Sequence, residues 1–148
     1  MRAKDMVGDY PIVRCTDAAL DAARLIGSRR LPGVVVVDDS GQPITVLPGS
    51  QVLNFLIPAY IQADPSLARV YDEGAADRSV ERLTGKTVGD LLPDGDRRME
   101  LPVVDPDATV LECSAVMARL HCPLLVVQDD SRIVGVVTTS RLLDALFG

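Results

Sequence analysis

Two stretches of the chain are apolar without interruption, Val34-Val35-Val36-Val37 and Leu124-Leu125-Val126-Val127. Continuous β-branched and aliphatic runs with no polar alternation predict strands covered on both faces. Each run ends at an acidic turn, Asp38-Asp39-Ser40-Gly41 or Asp129-Asp130-Ser131, and a second apolar run returns at 44–47 or 133–137. Ahead of each run the period changes. Leu20, Ala23 and Ile26, and later Leu111, Ala115 and Ala118, recur every three or four residues and predict amphipathic helices with Arg24 and Glu112 left to solvent. Thr16-Asp17 and Asp107-Ala108-Thr109 offer caps at the helix starts, and Pro32 and Pro123 stop the helices. Short extended runs, Ile12-Val13 and Val103-Val104, come first, and hydroxyl-rich steps (Ser50; Thr138-Thr139-Ser140) open a closing helix. Each half therefore predicts a βαββα unit.

The halves align as a repeat, residues 10–53 on residues 100–143. Pro32 pairs with Pro123 and Leu20 with Leu111 at an offset of 91 (123 − 32), and after the aspartates Val46 pairs with Val136 at 90 (136 − 46). One turn residue is thus absent from the second copy, where loss is tolerated. Similar lead-ins precede both copies, Lys4-Asp5-Met6-Val7-Gly8-Asp9 and Thr87-Val88-Gly89-Asp90-Leu91-Leu92. A sheet of about three strands with two short helices leaves an apolar face uncovered, so two units must pack together. The expected fold is α/β (α+β), with two βαββα units in pseudo-two-fold symmetry. The first unit and its lead-in span 1–56, a helical connection 57–86, and the second unit with its lead-in 87–148. The connection, broken by Pro58, Pro65, Gly74 and Gly85, reads as one or two helices forming a cover or a partner surface.

Composition narrows the function. Apolar residues make up 47 % and aromatic residues 3 % with no Trp, so the core is aliphatic and stacking platforms for bases are few. A net charge of −6 repels a phosphate backbone and argues against nucleic acid as a partner. The apolar stretch 52–61 contains Asn54 and Pro58 and is far short of a span of about 20 residues. The first residues lack the apolar run of a signal peptide, and the expected location is cytoplasmic. Cys15, Cys113 and Cys122 form no metal-ligating pattern and read as apolar fillers. A catalytic thiol needs a basic partner, and the single histidine, His121, is the immediate neighbour of Cys122. With no Gly-rich phosphate loop, no metal spacing and no triad, no enzyme is expected, and the aspartate pairs are read as turn chemistry rather than acid/base groups.

Three segments in order, Asp105-Pro106-Asp107-Ala108-Thr109-Val110, Cys122-Pro123-Leu124-Leu125-Val126-Val127 and residues 133–143, make the chain resemble tandem CBS domains, the Bateman module. The resemblance implies clefts between the units that bind AMP, ADP, ATP or S-adenosylmethionine. It also implies a homodimer built through helices, acting in trans on a partner such as a membrane transporter, channel or enzyme. In the second unit the implied ligand residues are Val104, Cys122, Pro123, Leu124, Thr138, Ser140 and Arg141; in the first, more weakly, Pro32, Gly33, Ser50 and Gln51. The family signature is a Gly, two apolar residues, then Thr/Ser-x-x-Asp. Gly135, Thr138 and Ser140 fit, but Arg141 stands where an aspartate would accept from ribose hydroxyls, and arginine has no acceptor. Arg141 is either a phosphate-binding fork or a solvated helix residue. The first copy departs further, with Thr45 at the glycine, Pro48 at the first hydroxyl and Gln51 at the aspartate; Pro48-Gly49-Ser50 reads as a rigid turn. Gly33 permits close approach by a ligand or another backbone, or simply begins a strand. Set against nucleotide sensing is an interaction protein whose two clefts have both decayed.

Overall fold

A computed structural model describes residues 1–71 and 73–148. The first unit runs β1 (Ile12–Arg14), α2 (Ala19–Ser28), β2 (Gly33–Val37), β3 (Pro43–Pro48) and α3 (Gly49–Leu56), preceded by a short α1 (Ala3–Met6). The connection holds α4 (Ala59–Ala63), a 3-10 turn Pro65–Val70 and α5 (Glu73–Glu81). The second unit follows as α6 (Val88–Leu91), a 3-10 turn Gly95–Arg97, β4 (Val103–Val104), α7 (Val110–Leu120), β5 (Leu124–Asp129), β6 (Arg132–Thr138) and α8 (Thr139–Phe147). Among the described residues no helix is long and apolar enough to cross a membrane.

Each sheet has three strands, β1-β2-β3 and β4-β5-β6. The first pair in each is parallel and the second antiparallel. The central strands are covered twice, as the unbroken apolar runs require. Val34 and Val36 face a cluster with Ala19, Ala22 and Ile26 of α2, and Leu125 and Val127 face Cys113 and Met117 of α7. On the other side Val35, Val37 and Val46 meet Leu124, Val126 and Val136 in one cluster that joins the two sheets. The halves are folded alike and bury their apolar backs against each other. At the hairpin tips the seam is polar: the Gln42 amide donates to the Ser131 carbonyl (3.0 Å) and Gln128 donates to Gln42 (2.9 Å).

The turns follow their chemistry. Asp38 Oδ1 accepts from the Ser40 N–H, the Ser40 hydroxyl and the Gln42 N–H (2.9, 2.7 and 2.9 Å). These bonds, the Ser40 hydroxyl first, hold its carboxyl below the usual range. Asp130 takes the shorter second turn at φ 54°, a left-handed conformation that Asp tolerates.

Three sequence expectations are corrected. In α7 the buried face is Cys113 and Met117, whereas Leu111 is 74 % exposed and Ala115 and Ala118 are also exposed. Leu111, Ala115 and Ala118 also have helical spacing, so periodicity alone does not say which apolar stripe meets the sheet. At the start of α2 no side chain caps the helix; Asp17 instead accepts from the Arg14 N–H (2.8 Å), while Thr109 caps α7 by accepting from the Glu112 N–H (3.1 Å). The third concerns the lead-ins, which cross over. The Ala3 and Lys4 N–H groups donate to the Ala108 and Pro106 carbonyls of the second unit (2.8 and 3.0 Å), and Met6 lies in that unit's core. Reciprocally the Val88 and Gly89 N–H groups donate to the Asp17 and Cys15 carbonyls (2.8 and 2.9 Å), and Val88 and Leu91 fill the first core. Lead-ins read along the chain as parts of their own units thus complete the opposite ones. Leu83, from the end of the connection, is also buried in the first core.

Candidate functional site

β6 passes into α8 at Thr138, the backbone and side-chain cap of that helix. Its Oγ1 accepts from the Arg141 N–H (3.2 Å) and shares a hydrogen bond with the Ser140 hydroxyl (3.1 Å). A hydroxyl here is favoured because it satisfies an orphan N–H of the first turn. The exchanged lead-in then runs alongside, because the Gly8 N–H donates to the Val136 carbonyl (3.0 Å). Gly135 permits this approach: a Cβ there would sit 2.8 Å from the Val7 Cβ. Residues 6–10 together with Val136, Thr138 and Arg141 enclose a cleft of about 220 Å³. Arg141 lines this cleft, and its guanidinium is paired at 3.3 Å with the exposed Asp144, an ion pair of little strength in water. Tyr10 closes the inner end with its hydroxyl donating to the Gly33 carbonyl (2.7 Å). Burial raises the Tyr10 pKa against the opposing effects of that hydrogen bond and the Arg29 charge, so the phenol stays protonated.

Of the residues expected from sequence, Thr138 and Arg141 line this cleft, and Ser140 adjoins it through Thr138. The others lie elsewhere. Val104 is buried in the second unit's own core, and Leu124 in the cluster between the sheets. Cys122 and Pro123 line a separate groove of about 450 Å³ between α7 and α8, with Leu142, Leu143 and Leu146. Burial raises the Cys122 thiol pKa; it also raises that of Cys113, where the Glu112 charge adds to the effect. Buried protonated thiols of this kind are apolar fillers rather than nucleophiles. Residues 6–10 and Val136 were missed by sequence reasoning. Only the likeness of the two lead-ins marked residues 6–10, and nothing in that likeness shows that they cross over.

The equivalent corner of the first unit is closed. Gln51 donates to the Leu91 carbonyl (3.0 Å) of the lead-in that crosses there. Thr45, fully buried, stands where Gly135 stands and donates to the Met99 carbonyl (2.6 Å). Pro48 ends β3 with no side-chain cap, Ser50 is exposed on α3, and Pro32 is exposed while its carbonyl accepts from the Gly49 N–H (3.1 Å). The need for glycine at 33 comes from another backbone: a Cβ would lie 2.6 Å from the Leu47 carbonyl oxygen. Among the described residues no group of three or more His, Cys, Asp or Glu could hold a metal ion.

Two α/β units packed back to back and exchanging their lead-ins define a duplicated, tandem-unit architecture. The CBS domain family model matches residues 88–148. A CBS domain-containing protein of unknown function from Kribbella flavida is 49 % identical, with 100 % of this chain and 99 % of that chain covered and a TM-score of 0.90. CBSX2 in complex with AMP shares the fold at 20 % identity, covering 98 % and 95 % of the two chains with a TM-score of 0.67. So does the CBS domain of a CBS domain-containing membrane protein from Sphaerobacter thermophilus, at 23 % identity, 97 % and 86 % coverage and a TM-score of 0.70. No curated protein matches the chain. The chain belongs to the CBS domain-containing proteins, and its two units are a tandem CBS pair.

Proposed function

We propose that this CBS pair is a non-catalytic cytoplasmic regulator that senses an adenosine nucleotide at the Thr138–Arg141 corner and, as a homodimer, modulates a partner such as a membrane transporter or an enzyme. The observation that carries the reading is that Thr138 and Arg141 line one cleft at the start of α8. A planar cation and a hydroxyl near a helix start suit phosphate oxygens; Arg141 stands where the motif's ribose carboxylate would be, and the cleft's carboxylate is Asp9 of the crossing lead-in. AMP, ADP or ATP is therefore the expected ligand, ahead of adenosine or S-adenosylmethionine. CBSX2, a relative in fold, was solved with AMP. At about 220 Å³ the cleft is below the ordinary ligand range of about 300 Å³ and more. The nucleotide enters by moving residues 6–10 outward, which links occupancy to the exchanged lead-in.

The dimer reading rests on the α7–α8 side, where Leu111, Leu143, Leu146 and Phe147 are exposed beside the apolar groove. A second copy laying the same helices there would cover them. An unoccupied interaction protein is the second reading, supported by the closed first corner, where Gln51 bonds to Leu91. Titration with AMP and with adenosine separates the two. At 100-fold the Kd, AMP should stabilise the fold by about 2.7 kcal/mol, a rise of roughly 5 to 10 °C in Tm. Arg141→Ala should weaken AMP binding and leave the melting of the free protein nearly unchanged. Unaltered AMP affinity in that variant would remove the phosphate role, and silence across AMP, ADP and ATP would leave the interaction reading.

A further inference from the structure

The connection between the units builds a groove of its own, apart from the cleft between them. α4, the 3-10 turn and α5 enclose about 500 Å³, within the ordinary size range of ligand pockets, about 300 to 1,000 Å³. Ile57, Ile61, Ala75 and Ala76 give it an apolar floor. The polar groups converge at one side. The Tyr60 and Tyr71 hydroxyls meet at 2.5 Å, and since one phenol donates to the other, the accepting phenol keeps its own hydrogen to offer outward. Arg82 lines the same groove and donates from Nη1 to the Leu56 carbonyl (3.0 Å). That bond anchors the guanidinium and uses one of its five N–H donors. Hydrogen bonding to Tyr71 raises the Tyr60 pKa, with burial and the second phenol adding to it, while the Arg82 charge pulls the other way. The guanidinium is therefore within electrostatic reach of the hydroxyl pair. None of the described lining residues is acidic, on a chain of net charge −6.

A segment that served only as a cover would turn its aromatic rings inward. Here Tyr60 and Tyr71 are 55 % and 45 % exposed at the mouth of the groove. The anchored Arg82 guanidinium and one outward phenol match the two oxygens of a carboxylate, Arg78 adds a second cation to the same lining, and the apolar floor suits an aliphatic body rather than a phosphate alone. We propose that this groove binds small amphipathic carboxylates, with the head on Arg82 and the Tyr60–Tyr71 pair and the chain on Ile57, Ile61, Ala75 and Ala76.

The protein carries its own reporter, because it has three tyrosines and no Trp, and two of the three lie in this groove. Sodium octanoate titrated into the full chain should change tyrosine emission saturably, and octylammonium and 1-octanol should bind about tenfold more weakly or worse. Arg82→Gln keeps an amide donor for the Leu56 carbonyl and removes the charge; octanoate affinity should fall about tenfold or more. Tyr71→Phe, which breaks the phenol pair without touching that bond, should weaken binding as well. Amide chemical-shift changes on adding octanoate should fall within residues 57–82. No saturable response at millimolar octanoate, equal affinity for octylammonium, or full affinity in both folded variants would overturn the proposal. So would shifts confined to the α7–α8 groove or to the Thr138–Arg141 corner. AMP binding at that corner is read separately, so the failure of one site leaves the other standing.

Discussion

Replacing Met6 by alanine tests the exchange of lead-ins, because Met6 belongs to the first copy along the chain and to the second copy in space. Its side chain is 1 % exposed and packs in the cluster of Val104, Cys113, Met117, Leu125, Val127, Val137 and Leu142. Truncating a fully buried Met to Ala removes its transfer free energy and leaves a cavity, for a loss of about 2 to 5 kcal/mol. For a chain of this length that loss lowers Tm by roughly 2 to 4 °C per kcal/mol, or about 4 to 20 °C in all. The same substitution at Leu91, also 1 % exposed, should cost about as much but act on the first core, with Val34 and Val36. Thermal melting gives the magnitude, and native-state hydrogen exchange gives the place. Met6→Ala should speed exchange at the β5 and β6 amides more than at β2, and Leu91→Ala should do the reverse. A loss under about 1 kcal/mol in Met6→Ala, well below the cavity range, would refute the crossed packing. Faster exchange confined to the first sheet would refute it equally.

Gly135→Val should destabilise the fold by about 1 to 3 kcal/mol in urea, because its new side chain would meet Val7 where a Cβ already lies 2.8 Å from the Val7 Cβ. Asp38 and Asp90 both have depressed folded pKa values, the first from Ser40 and Gln42, the second from Thr87. Their stabilisation is complete above the ordinary carboxylate value, about 3.9, and is lost as pH falls through the lower folded values; urea midpoints should drop on that acid side, and less steeply in Asp38→Asn. Iodoacetamide on the native protein should label the half-buried Cys15 before the buried Cys113 and Cys122, and equal labelling of all three would contradict the packing.

The legible part of the fold was what local chemistry dictates. Runs of valine and leucine with no alternation could only be doubly covered strands, Asp-Asp-Ser steps could only be reversals, and the repeat set the pairing of halves. What stayed hidden was decided between segments distant in sequence. α7 has two stripes of helical spacing, and only the sheet's position chose Cys113 and Met117 over Leu111, Ala115 and Ala118. Asp17 was a sound capping residue on spacing, but the Arg14 N–H reached it first, and the Lys86 carbonyl took the Ala19 N–H at the head of α2. At the candidate site, Thr138 and Arg141 followed from a local motif. Residues 6–10 could not, since their place on the cleft depends on a backbone bond between Gly8 and Val136.

The two corners differ through a handful of side chains, and the difference has a physical direction. Where Gly135 stands, the crossing strand lies flush on β6 and leaves the Thr138–Arg141 corner as a cleft with a wall made of residues 6–10. Where Thr45 stands, its side chain fills that space and its hydroxyl ties the Met99 carbonyl, while Gln51 seals the corner onto Leu91. Motion at the first corner breaks the partly buried Thr45–Met99 and Gln51–Leu91 hydrogen bonds; motion at the second displaces a short segment held by the Gly8–Val136 backbone bond. That segment continues into α1, whose Ala3 and Met6 are part of the second unit's core. A ligand pressing on residues 6–10 therefore works against the packing of the unit that binds it. Under the proposed function, nucleotide binding at the second corner would be felt through the lead-in in the core beneath α7 and α8, where Ala3 and Met6 pack.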